Sequence, residues 1–438
     1  MKKSVVAVLL LAVLVVIVSP GIVGKLAEQS VDDNLNWAAR QSGELVVTSQ
    51  SFDRGWFSSE GQHRVELGAG QIRAALTSIA GGGDEPLPVL LIDTRIDHGL
   101  IPVSSLGRNE GSLAPALGSA VSTLTIEYGS GETFDVPGTI YSTVGLGGDL
   151  DSRYILDAGS LFIDDGEVTW QPIELNIAAS AKTGRVEFSG DIGAMTFGND
   201  QQLVSIDGLT FSGQQTNTQY GFNVGDVDLK MGAMIINAGG VEVSGMQGMA
   251  MTVSSSVDDG VTAADLRLEM NGQTIPGFGD LSVIADIAFD GIDAAALGAV
   301  TERLESLGTA SDPGQLMMSG QEEFKDLIAA GFAVRVNQFD VVLPMGTVET
   351  TMSFVLPDSD RATFEWTSLL LNLVASIDIR VPEALIQVAT SMTPQVGTII
   401  GLGYLKKNGD VYELDADLKK GLLTINGAPV PIPLGAFR

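Results

Sequence analysis

The chain has 438 residues, of which 45% are apolar and 18% charged, with 53 glycines, 16 prolines and no cysteine. This composition excludes a disordered stalk and a disulfide framework, so hydrophobic burial has to hold the fold. A formal charge of −30, spread along the chain, repels phosphate backbones and argues against nucleic acid as a partner, while favouring solubility in salty surroundings.

The chain begins Met1-Lys2-Lys3-Ser4 and then runs without a polar residue from Val5 to Val18, stopping before Ser19-Pro20-Gly21. The twelve Val, Leu and Ile residues in that run contribute about −4 to −7 kcal/mol to insertion into a bilayer. Residues 1–23 are therefore expected to be a transmembrane helix, with Val5, Leu9, Leu10, Leu14 and Val18 among its anchoring residues. A cleaved signal peptide is the alternative. The long apolar core and the absence of an Ala-x-Ala exit favour retention. Lys2 and Lys3 orient such a segment with its start in the cytoplasm, which places residues 25–438 on the outer side of the membrane. Without cysteine, no thioether-linked lipid can anchor the exit.

Residues 24–43 read as a juxtamembrane helix, because Ala27, Val31, Leu35 and Ala38 recur at helical spacing before Gly43. A strand follows from Leu45, broken at Gly55, where a bulge or tight bend re-aims Trp56 and Phe57. The chain returns through His63 to Leu67, with Val65 and Leu67 on one face. The motif Arg54-Gly55-Trp56-Phe57-Ser58-Ser59-Glu60 suits a folding corner or an interface. Together with the basic start, the apolar segment and the polar helix, it resembles the opening of the YdgA-like family of uncharacterised bacterial inner-membrane proteins. Asp97-His98-Gly99-Leu100-Ile101-Pro102 is similar to that family's turn after a strand, with Leu100 where proline is expected, and Tyr412 to Gly427 is similar to its closing hairpin. The resemblance implies a periplasmic protein anchored in the inner membrane and brings no catalytic residue with it.

Residues 44–290 are expected to be a β-rich region. Apolar residues alternate at Leu124-Ile126-Tyr128, Leu175-Ile177-Ala179, Val227-Leu229-Met231, Met249-Met251-Val253, Leu266-Leu268-Met270 and Val283-Ala285-Ile287-Phe289. Asp164-Asp165-Gly166, Thr183-Gly184, Asp258-Asp259-Gly260 and Asn271-Gly272 read as turns between them. Residues 291–331 read as a helical hairpin, one helix from Asp293 to Leu307 and a second from Gln315 to Ala330, each stopped by a glycine. Residues 332–438 then give strands over Ala333 to Val342, Thr347 to Leu356 and Leu369 to Val381. A helix from Pro382 to Met392 follows, then another from Thr393-Pro394 to about Leu405, and closing strands. The expected fold is α+β but mainly β: long antiparallel sheets with late packed helices and one N-terminal transmembrane helix.

Catalytic constellations are hard to assemble here. With His63 and His98 the only histidines and no thiol, Cys-His catalysis and thiolate metal sites are excluded and His-rich zinc sites lack ligands. The hydrolase elbow, Walker A and dinucleotide fingerprints are absent, and no acidic turn has the spacing of a calcium loop. The expectation is no catalytic, cofactor or metal site. Met231, Met234, Met246, Met249 and Met251 either fill an uneven core or line a surface that accepts apolar ligands. Function is expected to be that of a structural or assembly factor of the cell envelope, acting through a protein partner or a second copy. The alternative is a carrier holding lipid in an apolar groove between sheet and helices, and an enzyme ranks last.

Overall fold

The computed structural model describes residues 45–54, 58–67, 87–98, 116–128, 131–163, 166–180, 182–199, 201–275, 279–307, 321–362, 364, 369–393 and 395–431. The expected membrane segment with Val5, Leu9, Leu10, Leu14 and Val18, the expected helix of residues 24–43, the start of the expected helix at Gln315, and Gly55, Trp56 and Phe57 all lie outside them. The fold is mainly β, built from long antiparallel sheets with helices packed on them. It divides into two compact units, one of Met1–Asn217, Ile236–Val241 and Glu305–Pro313, the other of Thr218–Ile235, Glu242–Leu304 and Gly314–Arg438. The expected β-rich region, 44–290, thus contributes strands to both.

In the first unit the strands β1 (Leu45–Arg54), β2 (Ser58–Leu67), β3 (Val89–His98), β4 (Ala116–Glu127), β5 (Thr133–Gly145) and β6 (Leu150–Leu156) pair each with the next, all antiparallel. The chain then leaves the sheet as the hairpin β7 (Gly159–Ile163) and β8 (Gly166–Trp170), and returns as β9 (Ile173–Ala179) beside β6. It repeats the excursion after β10 (Arg185–Ile192), forming β11 (Met195–Gly198) and β12 (Gln202–Ile206) before β13 (Leu209–Asn217) comes back against β10. Pairing of β8 with β11 joins the two excursions into a second, smaller sheet. Gln171 N–H donates to Ala194 O at 2.8 Å and Gly193 N–H to Pro172 O at 3.1 Å, so the ladder runs on through the bend.

This bend makes the core. Val168 and Trp170 from the small sheet join Val65, Leu67, Leu90, Ile92, Leu124, Ile126, Ile140 and Leu175 from the large one in a single buried cluster. Each large aliphatic side chain sealed this way contributes about 1.5–3 kcal/mol. On the same buried face, hydroxyls meet across strands: Thr94 and Ser122 are 2.8 Å apart, and Ser142 and Ser152 2.7 Å. The outward face is charged, with exposed ion pairs such as Arg153 to Glu174 at 3.0 Å, each worth at most about 1 kcal/mol.

Two short strands, β15 (Met234–Ala238) and β16 (Val241–Met246), straddle the division between the units. The second unit is one antiparallel meander of β14 (Asn223–Met231), β17 (Gly248–Asp258), β18 (Val261–Ile275), β19 (Gly279–Asp293), β20 (Phe332–Leu343), β21 (Gly346–Leu356), β22 (Val374–Pro382) and β24 (Val411–Lys419). The short strands β23 (Lys406–Asn408), β25 (Leu422–Ile425) and β26 (Ala428–Val430) finish its edge. Helices α1 (Ala294–Leu307) and α2 (Gln321–Ala329) lie between β19 and β20; α3 (Leu369–Asn372) precedes β22; α4 (Glu383–Met392) and α5 (Gln395–Gly401) follow it. Asp293 caps α1, its Oδ1 accepting the Ala296 N–H at 2.8 Å.

Three local expectations are corrected. Asn271-Gly272 is no hairpin turn: β18 runs through it, and the register slips by one residue between Met270 and Gln273. Gly272, at φ +61°, absorbs the extra residue as a β-bulge. The strand expected from Leu369 begins only at Val374, because Leu373 N–H donates to Leu369 O at 2.8 Å and closes a helical turn. Leucine is a better helix former than the β-branched residues that follow. The last helix ends at Gly401 instead of near Leu405: Gly403 takes φ +77°, its N–H reaching Ile400 O and that of Tyr404 reaching Ile399 O. That is the paired closure of a Schellman end.

Candidate functional site

Alternation in the second unit sorts its side chains into two faces. Reading the register across the sheet gives an unbroken row of Val227, Val253, Leu266, Ile287, Val336, Met352, Ile377 and Ala416. One pleat repeat away, Leu229, Met251, Leu268, Ala285, Phe339, Thr350, Ile379 and Leu414 form a second row. Met231, Met249, Met270, Val283, Val341 and Val348 make a third. Thr350 is the single polar residue in all three. With strands about 4.8 Å apart and same-face residues about 6.8 Å apart, the three rows cover roughly 34 by 14 Å, on the order of 500 Å².

This face is only half covered. Every residue of the first row is half-buried, and Phe339 in the second is 39% exposed. The comparable residues of the first unit are sealed, Ile92 at 1% and Leu124 at 3%, because a second sheet folds over them. Within the three rows the buried positions are Ala285 and Thr350, 5% and 6% exposed.

The opposite face is polar and mainly acidic. Thr252 donates to Asp228 at 2.9 Å, Arg335 pairs with Asp290 at 2.6 Å, and Arg267 pairs with Glu269 at 2.8 Å. The hydrogen bond to Glu269 holds the Arg267 guanidinium above its ordinary pKa. The two faces therefore differ as sharply as solvent and ligand do.

Of the methionines singled out by sequence, Met231, Met249 and Met251 stand side by side on the apolar face, Met246 is buried at 6%, and Met234 is half-buried in β15. Of the Arg54 to Ser59 motif, Arg54 ends β1 opposite Ser59, which is buried at 1%, and Ser58 is half-buried. The strands around this corner border an open cleft of about 440 Å³ on the first unit, lined by Asp53, Glu60, Asp93 and Arg95 among others. His63 is buried at 4%, and His98 ends β3 opposite Gly118. Among the described residues, no three His, Asp or Glu side chains gather in a metal-holding group, and no helix is long and apolar enough to cross a membrane.

Sequence reasoning singled out Val253, Leu266 and Ile287 strand by strand but missed Phe339 and the pairing that sets them in one row. Each strand's alternation was legible, but cross-strand neighbours depend on where the bulges fall.

A family model described as "Bacterial protein of unknown function (DUF945)" matches residues 1–433. The chain belongs to this family. The YdgA-like resemblance is borne out: this DUF945 chain is 27% identical over 281 residues to Protein YdgA of Escherichia coli (strain K12), covering 60% of the chain and 54% of that protein. The match thus spans about half of the relative's length. No solved structure is similar enough to this DUF945 chain to be matched.

Proposed function

We propose that this DUF945 protein is a membrane-tethered, non-enzymatic component of the bacterial cell envelope that shelters an acyl-chain-like ligand on the apolar face of its second unit. The half-exposed row from Val227 to Ala416 carries this reading. A face of about 500 Å² meeting another protein would be expected to make roughly three to five hydrogen bonds. In its three rows only Thr350 has a polar side chain, and that residue is buried. An acyl chain asks for no hydrogen bonds and gains about 0.8 kcal/mol for each methylene it buries. Flexible methionines at one side of the face suit chains of varied length and unsaturation.

The start Lys2-Lys3 and the run Val5 to Val18 support tethering to the inner membrane with the bulk of the chain in the periplasm. A reporter fused after Arg438 is then active only outside the cytoplasm; activity of a cytoplasmic reporter at that position rejects the topology. The second reading, an assembly factor working through protein contacts, draws on the polar cleft beside the Arg54 to Ser59 motif.

Native mass spectrometry of the full chain, followed by lipid extraction, tests the ligand. Bound phospholipid or fatty acid is expected, and the double substitution Met251→Ser with Phe339→Ser should lower fatty-acid affinity at least tenfold while changing the melting temperature little. A protein that emerges empty and takes up no fluorescent fatty acid rejects the carrier reading and leaves the assembly factor.

A further inference from the structure

From Ala384 to Leu405 the chain carries no charged residue, although 18% of all its residues are charged. These 22 positions form the helical hairpin α4–α5 and its exit, immediately followed by Lys406 and Lys407. One side of the hairpin is fastened to the sheet. Ile386 is buried at 7%, Glu383 N–H donates to Asp410 O at 2.9 Å, and the Glu383 carboxylate pairs with Lys407. The far side holds large apolar side chains in solvent: Met392 is 64% exposed, Leu402 61% and Ile399 39%.

We propose that the α4–α5 hairpin is a membrane-contact element that seats Met392, Ile399 and Leu402 in the headgroup boundary of a bilayer, with Lys406 at its surface. Helices of 10 and 7 residues are far short of the roughly 20 needed to span, so the hairpin lies in the interface. Charge complementarity selects lipid as the occupant. The protein as a whole is strongly acidic and repels anionic headgroups, yet the sequence places two adjacent lysines where the uncharged hairpin ends. Lys406 is exposed beside the contact, while Lys407 is held by the Glu383 carboxylate. The contact is independent of the proposed ligand, since it uses the end of the sheet near Pro382 and not the three apolar rows.

Because the chain has no cysteine, a single introduced thiol can be labelled uniquely. The full chain carrying Leu402→Cys, labelled with an environment-sensitive fluorophore, is reconstituted in vesicles of phosphatidylethanolamine and phosphatidylglycerol whose acyl chains are brominated. Quenching at least twofold stronger than in unbrominated vesicles is expected, with no such difference for a label at Thr351→Cys on the exposed polar face. In a variant labelled at Ile399→Cys, adding Met392→Glu and Leu402→Glu should abolish the quenching. A label at 402 that stays as water-exposed as the one at 351 overturns the proposal, and so does one that is shielded but untouched by the lipid bromines, which marks a protein partner.

Discussion

Tyr154 faces the core of the first unit at 3% exposure, and its hydroxyl has no hydrogen-bond partner among the described residues. Its neighbour across the sheet is a bulge in β5, where residues 137 to 139 stand opposite the single residue Thr123. A Cβ at Gly138 would come within 3.0 Å of the Tyr154 Oη and 2.8 Å of Ile155 O, at a φ of +129°. Gly138→Ala is therefore expected to cost about 1–3 kcal/mol, read by denaturant unfolding. An unpaired buried hydroxyl costs about 1–3 kcal/mol, so Tyr154→Phe should raise the melting temperature. Burial also pushes the Tyr154 pKa up. The folded state then holds the phenol proton more tightly than the unfolded chain does. Its contribution is complete below the ordinary tyrosine value of about 10 and is lost as pH rises from there toward the folded value. Unfolding series at pH 9, 10 and 11 should show a steeper alkaline loss in the wild type than in Tyr154→Phe. Parallel curves would assign the titration to other tyrosines.

At the scale of elements, the fold-over of β7, β8, β11 and β12 closes the first core, and Trp170 pins it. Trp170 is only 9% exposed, its Nε1–H donates to Asp157 O at 2.8 Å, and Gly159 lies against its ring. Asp157 stands where the chain leaves β6 for β7, so this hydrogen bond fastens the bend itself. Trp170→Ala should cost about 3–5 kcal/mol. Trp170→Phe keeps most of the packing but loses the hydrogen bond, with an expected cost nearer 1–2 kcal/mol. Equal losses for the two variants in chemical denaturation would mean that the indole N–H fixes the fold-over and packing adds little.

Across the whole molecule the formal charge is −30, and on the polar sheet faces of the described residues carboxylates stand opposite one another. Asp340 stands opposite Glu349, and Asp378 opposite Asp415. Like charges at facing positions destabilise a sheet, whereas exposed pairs such as Arg335 to Asp290 return at most about 1 kcal/mol each. With a formal charge of −30, repulsion is expected to outweigh these pairs. Salt, which screens both, is expected to raise the melting temperature between about 0.01 and 0.5 M sodium chloride. A melting temperature that falls over this range would show that the ion pairs dominate.

The sequence by itself determined strand character, because a pleat exposes alternate residues and Leu266-Leu268-Met270 or Val283-Ala285-Ile287-Phe289 state their buried side in their spacing. It also determined the turn at Asp258-Asp259-Gly260, where Asp259 and Gly260 both take positive φ, and the end of α2 before Gly331. Tertiary structure alone decided which strands leave the first sheet to cover it, since Val168 and Trp170 alternate just as residues of a flat sheet would. It alone decided that Asn271-Gly272 is a bulge and not a turn, because the same dipeptide serves either and only the partner strand's register distinguishes them. The apolar face of the second unit belongs to both levels. Its residues were legible strand by strand, but whether Leu266 is sealed like Leu124 or left half open depends on a covering layer, and no local pattern encodes a layer brought from elsewhere in the chain.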